Sequence, residues 1–139
     1  MPTARAAIDT GALLALASPR DQHHADALAV ARQHLGSGGR WIGSVLVLAE
    51  LHGHLLRWRE PRVAHTVVDR VRADPAYEWR AVDGELLEAA TMNWLMRFAD
   101  LRLSLVDAVT CELMRRERIS TVFAFDHDFV AVGFRLQAS

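Results

Sequence analysis

The apolar positions of this chain change their period as it is read from one end to the other. Short unbroken apolar runs alternate with longer stretches in which apolar residues recur at helical spacing. Arg5 to Ile8 predicts a buried strand, and Thr10 to Ala17 a helix stopped at Ser18-Pro19-Arg20-Asp21. His23 to Leu35 predicts a helix with His24, Leu28, Ala31 and Leu35 on one face, closed by Gly36-Ser37-Gly38-Gly39. Arg40 to Gly43 reads as a second strand, and Ser44 as the N-cap of a helix reaching Trp58. Pro61 opens another helix that ends near Ala73, before Asp74-Pro75. Glu78 to Val82 is strand-like, and Leu87, Ala90, Trp94 and Phe98 mark a helix over 84–98. Ser104 opens a helix to about Arg118, Thr121 to Phe125 is a fourth strand, and Phe134 to Leu136 a short fifth at an edge. The alternation predicts an α/β fold with a central, mostly parallel sheet of four to five short strands flanked by helices. No repeat or linker divides the chain, so residues 1–139 are expected to form one domain.

Composition narrows the class. A hydrophobic content of 51% supplies a core, and 24% charged residues with a net charge of -1 describe an ordinary globular protein. No apolar stretch is long enough to span a membrane. Met1-Pro2-Thr3-Ala4-Arg5 contains no signal-like apolar region, and the single cysteine, Cys111, suits a reducing cytoplasm. All 16 basic residues are arginine, which excludes Schiff-base and P-loop lysine chemistry while leaving phosphate recognition open. The near-neutral charge argues against a dedicated duplex-DNA binder.

Four carboxylates change the picture further. Asp9, Glu50, Asp107 and Asp126 each lie inside or at the end of an apolar run. A lone ionised carboxylate in such a setting is costly unless paired, neutralised or bound to a cation. With little basic residue beside them, one shared solution is a divalent metal, which would make the chain a metal-dependent phosphodiesterase. Each acid also has a plainer reading. Asp9 fits a helix N-cap, Ser104-Leu105-Val106-Asp107 resembles a capping box, and Asp126-His127-Asp128 suits a turn with Asp128 as a cap. Glu50 has the weakest plain reading, because both of its helical flanks are apolar.

Ile8-Asp9-Thr10, Ala49-Glu50, Ser104-Leu105-Val106-Asp107-Ala108 and Phe123-Ala124-Phe125-Asp126-His127-Asp128-Phe129 closely resemble the four acidic motifs of the PIN domain. The order and spacing are similar to those of VapC toxins of type II toxin–antitoxin modules, over essentially the whole chain. The resemblance implies a Mg²⁺- or Mn²⁺-dependent ribonuclease, usually a homodimer, inactivated by a cognate VapB-like antitoxin. It places Asp9, Glu50, Asp107 and Asp126 in catalysis. Asp9 and Asp107 are the expected direct metal ligands, with Asp126 direct or through water, and Glu50 orienting or deprotonating the attacking water. Thr10 and Asp128 are supporting candidates. Gly11 departs from the Ser or Asn of many relatives and could loosen the first helical turn.

The remaining chemistry-bearing residues are expected to do less. His52 and His54 are too close in sequence for a helical zinc pair, and His54, one turn beyond Glu50, is left outside the acid set. Cys111 is expected in the core. Trp41, Trp58, Trp79 and Trp94 are expected to pack, although Trp58 between Arg57 and Arg59 also has the chemistry to stack on RNA. Arg57, Arg59, Arg62, Arg70 and Arg72 read as a solvated face, and Arg115, Arg116 and Arg118 as cations closing a helix. The helices over 23–35 and 44–58 offer an apolar groove for an antitoxin segment. A receiver-type domain is excluded by the missing lysine, and a HAD-type phosphatase by the few residues after Asp126. The remaining alternative is a non-catalytic PIN-like module that binds RNA or protein.

Overall fold

The computed structural model describes residues 4–137; the reading of Met1-Pro2-Thr3 lies outside them. Five parallel strands form one sheet in the order β3-β2-β1-β4-β5. They are β1 (Arg5–Ile8), β2 (Arg40–Ser44), β3 (Tyr77–Arg80), β4 (Thr121–Phe123) and β5 (Arg135–Leu136). The helices are α1 (Thr10–Ala17), α2 (His24–Gly36), α3 (Val45–Trp58), α4 (Pro61–Ala73), α5 (Gly84–Ala90), α6 (Leu105–Glu117) and α7 (Asp128–Ala131). The expected α/β architecture is therefore present.

Strand alternation explains the two layers. Ala7, Ile42 and Val122 face a core completed by α5, α6 and α7, among them Leu86, Val109, Met114 and Phe129. Ala6, Ile8, Trp41 and Phe123 face the opposite core, made with α1 to α4. Val47, Leu51 and Leu55 recur every four residues along α3 and are buried there. Burying each such side chain contributes about 1.5–3 kcal/mol. Two glycines are set by this packing. Gly38 has φ +80, and a Cβ on Gly39 would lie 2.4 Å from the His34 ring, so the end of α2 folds back on itself only with glycine there.

Several expected details shift. Leu35 is exposed and His34 takes the inner position on α2, its ring against Trp41 and its Nε2 bonded to the Arg40 carbonyl. The helix over 84–98 divides: after α5 a π-helical segment runs from Thr91 to Met96. The Thr91 hydroxyl donates to the Leu87 carbonyl, and the wider turn aims the adjacent Asn93 and Trp94 at one carboxylate, that of Glu112. β4 stops at Phe123 rather than Phe125, because β1 pairs with it only as far as Ile8 opposite Phe123, and β5 only at Thr121 and Val122. Trp41 and Trp94 are buried as expected, but Trp58 is 82% exposed and packs on nothing that would cover it.

Candidate active site

The chain runs outward from β1 to β2 and β3, then returns to the other side of β1 to form β4 and β5. The sheet therefore reverses its winding between β1 and β4, and in parallel sheets that point opens a crevice beyond the carboxyl ends of the strands. Asp9 follows the last residue of β1, and its backbone N–H donates to the Phe123 carbonyl at the end of β4 across 3.0 Å. Asp126 follows β4 three residues later. The two acids flank the crevice because the strands that precede them are neighbours.

Asp9 occupies the N-cap position of α1, yet its side chain makes no cap bond. It is buried, at 9% exposure. Burial pushes its carboxyl up to about 7; Asp107 adds to the rise, the Thr10 backbone N–H opposes it, and Glu50 and Asp126 add further. The same four acids singled out in the sequence are thus near enough to disturb one another. Asp107 is at N3 of α6, and both bonds of the capping box with Ser104 are formed, each 3.1 Å long. Burial raises the Asp107 carboxyl in spite of those bonds, and Asp126 and Glu50 raise it further. Asp126 accepts the Asp128 N–H at 2.9 Å, so the turn reading of that segment also holds. Asp128 itself is the first residue of α7 and reaches the site through its backbone.

Glu50 projects from α3 and accepts the Thr10 hydroxyl at 2.6 Å. The Thr10 side chain therefore serves Glu50, where its place beside Asp9 had suggested the neighbouring acid. Among the described residues no arginine or histidine forms an ion pair with any of the four acids. Nor do three or more His, Cys, Asp or Glu side chains form, as they stand, a group that could hold a metal ion. What they offer is a set of hard oxygen donors graded from buried Asp9 through half-buried Glu50 and Asp107 to exposed Asp126, without a protein cation among the described residues, which suits a Mg²⁺-like ion held by one or two carboxylates and its own water. The Cys111 thiol, pushed up to about 12 by burial and by Asp107 and Asp9, stays protonated as a core residue.

A fifth acid was missed by the sequence reasoning. Glu112, on α6, is fully buried, and its carboxylate accepts bonds from Asn93, Trp94, Arg115 and Arg116. Arg115 and Arg116 do more than complement the helix end; they neutralise this acid, and Arg116 also pairs with Glu85. The signal was available: Glu112 lies in the apolar run Cys111 to Met114, with arginines one turn ahead.

Comparison with known proteins agrees with this geometry. The PIN domain family model matches residues 6–135. Over 48 residues the chain is 42% identical to the 23S rRNA-specific endonuclease VapC20 of Mycobacterium tuberculosis, a stretch covering 34% of this chain and 37% of that protein. The crystal structure of Mycobacterium tuberculosis VapC20, described as a Sarcin-Ricin loop cleaving toxin, superposes with a TM-score of 0.77 at 29% identity. That match covers 92% of this chain and 95% of the other. VapBC2 of Rickettsia felis, solved bound to a DNA fragment from its promoter, shares the fold alone, with a TM-score of 0.69 at 13% identity over 95% and 96% of the two chains. With the family model spanning nearly the whole chain, and the acids at the sheet's crevice, the protein belongs to the PIN domain family.

Proposed function

We propose that the protein is a metal-dependent endoribonuclease, the toxin of a toxin–antitoxin module, that cleaves RNA phosphodiester bonds with an activated water. The observation that carries this reading is Asp9, at the end of β1: its carboxyl is raised first by burial and further by three neighbouring acids, and among the described residues it is paired with no protein cation. Such a carboxyl is unfavourable in a metal-free protein and becomes useful when a cation is present. The likeness to VapC20 supports RNA as the substrate and makes a ribosomal RNA loop the first one to try.

Asp9 and Asp107 are the residues that would hold Mg²⁺ or Mn²⁺ directly, with Asp126 direct or through water. A bound divalent ion supplies polarisation of the scissile phosphate and acidification of an attacking water. Glu50 orients that water and takes its proton, and the Thr10 hydroxyl fixes the Glu50 carboxylate in the position to do so. The Ser104 backbone N–H and hydroxyl fix Asp107 from the other side. Asp128 holds Asp126 through its N–H.

The module reading carries partners with it: a VapB-like antitoxin and a second copy of the chain, in the cytoplasm. No helix among the described residues is long and apolar enough to cross a membrane. Incubation of the purified protein with labelled ribosomal RNA, in Mn²⁺ or EDTA, tests the enzyme directly. Cleavage in Mn²⁺ that EDTA and Asp9→Asn both abolish is the expected result. Cleavage that persists in EDTA, or none in Mn²⁺ with any RNA, would overturn it.

A further inference from the structure

An open cleft of about 640 Å³ lies between the end of α1, the loop after it and the end of α3. Its place follows from two side-chain rows. On α3, Glu50, His54 and Trp58 are spaced four residues apart and so lie along one side of the helix, over about 12 Å. On α1, Thr10 and Leu14 have the same spacing, and Ser18 follows at the C-cap. The Thr10–Glu50 bond joins the two rows at the acid end, while Leu14, Ser18, His54 and Trp58 line the cleft at the other. Along α3 the cleft therefore starts at His54, one helical turn beyond Glu50. A second path leads back: Asp21, on the cleft wall, accepts the His23 N–H, and the His23 ring stacks on Phe125, which precedes Asp126.

The lining has the chemistry of a nucleotide site. Trp58 is 82% exposed at the mouth, which leaves its indole face accessible to a stacking base. Arg20 and Arg59 line the same cleft, each able to hold a phosphate by its planar fork. Ser18, His54 and Asp21 add hydrogen-bonding groups suited to base edges.

We propose that this cleft is a nucleobase subsite for single-stranded RNA flanking the scissile phosphate, with a base stacked on Trp58 and the backbone held by Arg20 and Arg59. The inference rests on the ribonuclease reading above and adds where substrate selection occurs. A base seated here lies one to two helical turns from Glu50, so it is a flanking nucleotide that is read while the cut falls at the acids.

The test uses fluorescein-labelled oligouridylate and oligoadenylate of about eight nucleotides, titrated with full-length protein in EDTA, where cleavage is stopped. Trp58→Ala should weaken binding roughly tenfold, Trp58→Phe should restore most of it, and Arg59→Gln should lower the salt dependence. In Mn²⁺ the larger part of the Trp58→Ala defect should fall on KM, and a dinucleotide too short to reach the cleft should be cut alike by both proteins. Oligonucleotide binding unchanged in Trp58→Ala overturns the subsite, including the case in which that variant loses only a protein partner. Wild-type protein that binds through Trp58 but cuts no RNA in Mn²⁺ would sink the nuclease reading, and with it the place of the subsite beside a scissile phosphate, leaving only an RNA-binding cleft. Active protein indifferent to Trp58 would do the reverse.

Discussion

The hydroxyl of Thr10 donates to Oε1 of Glu50 across 2.6 Å, joining the first residue of α1 to the middle of α3. Without that bond Glu50 would be a half-buried glutamate free to swing into water. Thr10→Val keeps the shape and removes the donor. Cleavage should fall about 10- to 100-fold, with KM for RNA nearly unchanged, and Thr10→Ser should recover most of it. Full activity in Thr10→Val under single-turnover conditions would remove Thr10 from the site.

The carboxylates can be sorted by what else they do. Asp9 makes no side-chain cap bond, so Asp9→Asn removes repulsion and little besides. Its metal-free melting temperature at neutral pH should rise, while stabilisation by Mn²⁺ disappears. Asp107 also completes a capping box. The Ala and Asn variants should therefore part company there, with Asp107→Ala about 1 kcal/mol less stable than Asp107→Asn. Equal melts of those two variants would mean the cap bonds carry no weight.

The raised carboxyl of Asp9 sets a pH dependence. Its folded value, about 7, lies above the ordinary 3.8, so folding takes up a proton between those limits. The stability this group contributes is fully present below 3.8 and is lost as pH rises through about 7. In EDTA the wild type should weaken relative to Asp9→Asn across that window, at no more than about 1.4 kcal/mol per pH unit. Mn²⁺ requires the ionised form, so its stabilising effect should grow over the same range. Denaturant melts of both proteins from pH 4 to 8 decide this; parallel curves would contradict the placement of Asp9.

Gly11 was expected to loosen the first turn of α1. It is exposed, and a Cβ there would come no nearer than 3.8 Å, to Oδ2 of Asp9. Gly11→Ala should therefore stabilise the fold by about 0.5–1 kcal/mol through helix propensity. A loss of stability in thermal melts would show that the turn needs glycine for another reason.

Helix starts were legible because the chain punctuates them: Pro61 opens α4 at its first position, and Ser104 caps α6 with its own hydroxyl. The end of β4 was not, since Ala124 and Phe125 stay apolar while their backbone loses its partner strand. The four acids were legible because none has an arginine three or four residues ahead. Glu112 meets the same apolar criterion but has Arg115 and Arg116 at those spacings, so its charge is already answered. The exposure of Trp58 could not be read from its neighbours. Whether an apolar side chain is covered depends on what lies opposite, and the last residue of α3 has an open cleft there.

Glu112 gives the contrast between an acid held by protein cations and the four proposed to hold a metal. Burial alone would raise its carboxyl, but bonds from Arg115, Arg116, Asn93 and Trp94 outweigh burial and hold it at about 2. With the ordinary value at 4.5, the stability it contributes is present above 4.5 and lost as pH falls toward 2. Glu112→Gln keeps the volume and leaves the π-helical segment without its charged acceptor. The loss should be about 1–3 kcal/mol near pH 7, shrinking as pH falls from 4.5 toward 2, where the unfolded wild type takes up the proton before the folded protein does. Stabilisation by Mn²⁺ should survive, because Glu112 binds arginines and the four acids at the crevice are untouched. Melts of wild type and Glu112→Gln, with EDTA and with Mn²⁺, read both effects at once. An undiminished melting temperature, or a vanished Mn²⁺ response, would mean that Glu112 belongs to the metal site and that the division drawn between paired and unpaired acids is wrong.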